Sequence, residues 1–85
     1  MGLNKNSYTS DAIVNIYRAA FYLAKGLRMV GLDFLLKAKE KLGNNFDPDL
    51  NYLIENSDKL LKNKKELLFW AEKALDQYLK LRNSI

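Results

Sequence analysis

An apolar repeat of helical period runs through nearly the whole 85-residue chain, and a single proline, Pro48, and four glycines are its only strong breakers. No stretch alternates apolar and polar residues as a half-buried strand would. The pattern therefore specifies an all-α fold in which glycine and proline act as punctuation.

Ser10 followed by Asp11 offers an N-cap, and Ile13, Tyr17, Ala20, Ala24 and Leu27 recur at helical spacing as a buried stripe. The spacing predicts a first helix from about Asp11 to Val30. Gly31 then serves as its C′ residue, and Asp33 caps a short second helix, Phe34 to Leu42. Asp47, Pro48 and Asp49 supply the N-cap and first two positions of a third helix, with Leu50, Leu53, Ile54, Leu60 and Leu61 facing inward. Asn63 and Glu66 have the spacing of a capping box, opening a fourth helix that runs to about Arg82. Its inward stripe is Leu67, Ala71, Ala74, Leu75, Tyr78 and Leu81. Residues 1–9 read as a flexible N-terminal segment, and residues 10–83 as one helical-bundle domain.

Because the apolar phase continues across Gly31 and Asn63, two architectures compete. The expected one is a small antiparallel four-helix bundle. The alternative is a long helical hairpin that dimerises into a four-helix bundle to cover its wide apolar face.

The stretch "FDPDLNYLIENSD" raises the one sharp chemical question. Asp47, Asp49 and Asn51 occupy positions 1, 3 and 5 of a calcium-loop spacing. Position 6, which needs glycine, holds Tyr52, and position 12, which needs a bidentate Glu, holds Asp58. Pro48 pre-sets a helical φ, so the tripeptide is read as a helix start with no metal.

Histidine and cysteine are both absent, which removes imidazole catalysis, thiolate chemistry, disulfides and soft-metal sites. The carboxylate pair Glu72 and Asp76 lies one turn apart on an outward helix face, where nothing desolvates it. There is no glycine-rich phosphate loop. The expectation is a protein that is not an enzyme and takes no cofactor. The N-terminal "MGLNKNSYTSDA" lacks the apolar core of a signal peptide, and Asn6 breaks the myristoylation pattern that Gly2 begins. A cytoplasmic protein without a membrane span is expected.

Binding surfaces remain. On a helical wheel Val14, Phe21, Tyr22 and Met29 share a mixed face with Arg18, Lys25 and Arg28, combining aromatic anchors with a basic rim. Phe69 falls on the polar side of the last helix, beside Trp70. The residues marked for partner binding are thus Arg18, Tyr22, Lys25, Met29, Phe69 and Trp70, with a protein partner or self-association expected. The net charge of +4 also permits an electrostatic role. Arg28, Lys37, Lys62, Lys64 and Lys65 are expected to gather into a basic cap suited to nucleic acid or an anionic membrane surface. Eleven lysines against three arginines weaken the nucleic-acid reading, because Arg supplies the bidentate contacts that read bases and grip phosphates. Ala20, Ala24, Gly31 and Ala38 form a small-residue ridge suited to close helix packing.

The stretch "LLKAKEKLGNNFDPDLNYLIENSDKLL" resembles bacteriocin immunity proteins over about a third of the chain. That resemblance implies a basic, cytosolic four-helix bundle that recognises a membrane receptor complex, and carries no individual residue across. "IVNIYRAAFYLAKGLRM" is similar in texture to helices of the HEPN superfamily, whose nuclease members use an Arg followed by His; with no His, that activity is not implied here.

Overall fold

The computed structural model describes residues 2–83, with side chains from Ser10 onward. The chain is all-α: α1 Gly2–Ala24, α2 Arg28–Leu42, a 3-10 turn Gly43–Asn45, α3 Pro48–Glu55, the single turn α4 Ser57–Leu60, and α5 Lys64–Asn83. Helix α1 is central, packing along α2 on one side and α5 on the other, while α3 bridges α2 and α5.

The first turn of the chain is not where the sequence places it. Helix α1 ends at Ala24 and reverses at Gly26, whose φ of +87° lies in the left-handed region that glycine occupies without strain. The Gly26 amide donates to Leu23 O at 3.0 Å and the Leu27 amide to Tyr22 O at 2.9 Å. These are the paired bonds of a Schellman motif, satisfying two carbonyls that the helix end would leave bare. Gly31, expected at this place, lies inside α2 and is buried. A Cβ there would fall 2.7 Å from Leu23 Cγ and Cδ2, so this glycine serves close approach of α2 to α1. Ala20 and Ala38 are buried with it, while Ala24 is exposed.

At its other end α1 also differs from expectation. The Ser10–Asp11 cap is not used, because helical backbone continues to Gly2 through the segment read as a flexible lead-in. Met1, Ser84 and Ile85 lie outside the described residues.

The later boundaries follow the capping chemistry. Asp47 accepts from the Leu50 amide at 3.1 Å and Pro48 opens α3, so the aspartates of the calcium-like spacing start a helix. Asn63 Oδ1 accepts from the Glu66 amide at 2.9 Å, and Glu66 reaches back to the Lys62 amide at 3.2 Å. That reciprocal pair opens α5. The expected third helix is interrupted at Asn56, whose φ of −124° separates α3 from α4. Neither long rod forms, since the chain turns at Gly26 and again between Leu60 and Lys64.

The core is drawn from Ile16, Leu23, Leu35, Leu50, Leu53 and Leu61, all fully buried, with Trp70 at 9% exposure beside them. On α1 the buried stripe is Ala12, Ile16, Ala19 and Leu23 together with Ile13 and Ala20. Tyr17, Ala24 and Leu27, expected inside, are exposed. The stripe is rotated because α1 must serve two neighbours, and small residues bring both close. Leu75, expected in the core of α5, is also exposed, whereas Leu67, Tyr78 and Leu81 pack against the core.

Candidate functional site

The reversal at Gly26 sets Tyr22, four residues before it, across from Phe34 in α2. Their rings stack with centroids 5.6 Å apart and planes 7° from parallel. Phe21 meets Tyr22 edge-on at 5.2 Å. Three cations lie over these rings. Arg18 sits 5.9 Å and Lys37 5.1 Å from the Phe34 centroid, and Lys25 sits 5.0 Å from Phe21. The cluster is a row of aromatic faces held by α1 and α2 and rimmed by positive charge, each contact worth about 0.5–1 kcal/mol at an exposed site.

Among the described residues Asp33 is the one carboxylate paired within this surface, 3.3 Å from Lys37 on the same face of α2. Both side chains are more than half exposed, so the pair is worth only about 0.3–0.5 kcal/mol and leaves Lys37 available to a stronger anion.

Of the residues marked for partner binding, Arg18, Tyr22 and Lys25 thus come together. Phe21, Phe34 and Lys37 join them. The wheel of α1 alone placed Phe21 on this face, but Phe34 becomes visible only once the hairpin register is known. Met29 stands apart in the first turn of α2, 71% exposed. Phe69 is exposed as expected, at 53%, with Lys73 over its ring at 5.9 Å. Lys73 also approaches Asp49 of α3 at 3.7 Å, which turns this side of α5 away from α1. Trp70, expected beside Phe69 at the surface, is instead a core residue, edge-on to the Phe69 ring at 5.3 Å.

The basic cap forms in part. Arg28 donates from Nη1 to Leu61 O at 3.4 Å, so the Gly26 turn and the Leu61–Asn63 turn share one end of the molecule. Lys62, Lys64 and Lys65 stand there, exposed, with Lys25 close by in sequence to the turn. Lys37 does not belong to this end, because it lies more than two turns down α2 and pairs with Asp33. Arg28 opens α2 and donates to the carbonyl that follows α4. Helices α2 and α5 both begin at this end, which adds the positive ends of two dipoles to the lysines.

A third feature was not marked in the sequence. Between α1 and α5 runs an apolar groove of about 330 Å³ whose walls include Tyr17, Ala20, Phe21, Leu68 and Leu75, with Glu72 the one charged residue lining it. No described helix is long and apolar enough to cross a membrane. No protein-family model, curated protein or solved structure matches the chain.

Proposed function

We propose that this chain is a non-enzymatic binding module that recognises a protein partner through the aromatic and basic face of Arg18, Phe21, Tyr22, Lys25, Phe34 and Lys37. The observation that carries it is the Tyr22–Phe34 stack with Arg18 and Lys37 over the same ring. Half-buried aromatic rings held in a pre-ordered stack, with the exposed Phe21 beside them, offer contact area at small entropy cost, and surrounding cations select an acidic partner surface. In this reading α3 and α4 act as one kinked helix, the fold is an antiparallel four-helix bundle, and the protein works in the cytoplasm. The test is affinity capture with wild type, Tyr22→Ala and Lys25→Glu, each checked for native helicity by circular dichroism. Loss of the same captured proteins in both variants is expected. An unchanged captured set would sink this choice of surface.

A second reading rests on the bond from Arg28 to Leu61 O, which brings two turns and their lysines to one end. That end suits an electrostatic partner, nucleic-acid phosphate or an anionic membrane surface, bound through Lys62, Lys64 and Lys65.

A further inference from the structure

The core and the surface divide apolar residues unusually. Among the residues whose side chains are described, six alanines, Ala12, Ala19, Ala20, Ala38, Ala71 and Ala74, sit among the fifteen buried hydrophobic residues, while twelve large hydrophobic residues are exposed. Six of those twelve lie on one side of the molecule. Val14, Tyr17 and Phe21 follow one another on α1 at spacings of three and four residues, and Leu68, Leu75 and Leu79 repeat the phase on α5, with Glu72 filling the remaining place. This is the seam spacing by which one helix layer packs on another. A chain of this size, with so modest a core, gains stability by covering such a face.

We propose that a second copy of this chain covers the α1–α5 face, related by a two-fold axis parallel to the helices. The charges on either side of the seam select this occupant. Along the α1 edge stand Arg18 and Lys25, one turn from Val14 and Phe21. Along the α5 edge stand Glu72 and Asp76, one turn from Leu68 and Leu79. All four side chains are exposed, and both carboxylates are on the opposite side of the seam from both cations.

Helices α1 and α5 run antiparallel, since α5 starts at the end where α1 stops. The shared groove is lined by Tyr17, Phe21 and Ala24 of α1 and by Leu68, Glu72 and Leu75 of α5, and the Tyr17 and Tyr78 rings meet at 5.0 Å. Arg18 is therefore level with the turn from Glu72 to Asp76. A two-fold axis along the helices keeps every level and swaps the two edges. It lays α1 of one copy over α5 of the other, antiparallel, and brings Arg18 against Glu72 and Asp76 of the second copy, twice. At the turn end Lys25 and Lys65 of the two copies come level, a like-charge pair whose long side chains reach water. Helix α5, 20 residues and about 30 Å long, carries its half of the seam along most of a molecule whose long dimension is 43 Å.

The dimer takes Arg18, Phe21 and Lys25 from the aromatic and basic face and leaves Tyr22, Phe34 and Lys37 uncovered, so a substitution at Tyr22 separates the two surfaces. Tyr22→Ala should alter capture without altering mass.

The experiment is molar mass by light scattering across a hundredfold dilution, for wild type, Arg18→Glu, Glu72→Arg and the double reversal. Wild type is expected at twice the 9.8 kDa chain mass, dissociating on dilution. Each single reversal should weaken dimerisation by about tenfold or more, and the double reversal should restore it. Both substituted side chains are exposed in the monomer, and helicity by circular dichroism confirms that each variant folds. A wild-type mass fixed at one chain overturns the proposal. So does a dimer indifferent to the single reversals, or one that the double reversal fails to rescue.

Discussion

Gly31 of α2 lies so close to Leu23 of α1 that a single added methyl would stand 2.7 Å from Leu23 Cγ and Cδ2. Leu23 is wholly buried and has no solvent to yield into. Overpacking of this kind costs about 1–3 kcal/mol, against about 1 kcal/mol that alanine gains over glycine in a helix interior. Gly31→Ala should therefore lower stability in urea unfolding. A variant as stable as wild type would show that the α1–α2 contact is looser than described. Gly26→Ala should lose about 1–2 kcal/mol for a different reason, since open space surrounds it and only its left-handed φ is at stake.

These two glycines also mark the limit of what the sequence discloses. Both sit in an unbroken apolar phase, and both are followed by Leu within the next residue. One needs positive φ and the other needs an absent side chain, and that difference depends on which helix arrives opposite. Placing the turn at Gly31 misregisters the hairpin by five residues, which hides the Tyr22–Phe34 stack. The capping signals at Asp47 and Asn63 were readable because they act within one turn of chain. The inward face of α3 and α4 was readable too, since Leu50, Leu53 and Leu61 are large apolar residues that the capping signals at Asp47 and Asn63 bracket. The α1 stripe was not, because two layers share it and Ile16, omitted from the expected stripe, is almost fully buried.

Trp70 and Phe69 are neighbours in sequence with opposite environments, buried and 53% exposed. Trp70→Ala should cost about 3–5 kcal/mol, a large part of the stability of a small domain. Phe69→Ala should cost under about 1 kcal/mol, mostly its edge contact with the indole. Trp70 is the sole tryptophan, so its emission reads the point directly. It should be blue-shifted in the native protein and move red on unfolding. Native emission already at the solvent-exposed wavelength would contradict the burial.

The box at the start of α5 predicts non-additivity. Asn63→Ala should cost about 1 kcal/mol, as removal of an N-cap acceptor usually does. Glu66→Ala should cost less, because its bond to the Lys62 amide is the longer of the two, 3.2 Å against 2.9 Å. In a double-mutant cycle the two losses should sum to more than the loss of the pair, since each side chain orders the same turn. Strict additivity would mean that the two bonds form independently.

Lys65 links two of the surfaces with opposite signs. At the basic end it adds to the positive charge of Lys62 and Lys64, so Lys65→Glu should weaken binding to anionic vesicles or single-stranded nucleic acid and flatten the salt dependence of that binding. In the two-fold dimer it stands level with Lys25 of the other copy, so the same substitution should turn repulsion into attraction and tighten the dimer. Vesicle co-sedimentation over a salt series and light scattering on the same variant measure the two effects separately. Tighter dimerisation with unchanged vesicle binding would keep the self-association face and remove the electrostatic end. Weaker vesicle binding with unchanged dimerisation would keep the basic end and place the dimer axis elsewhere.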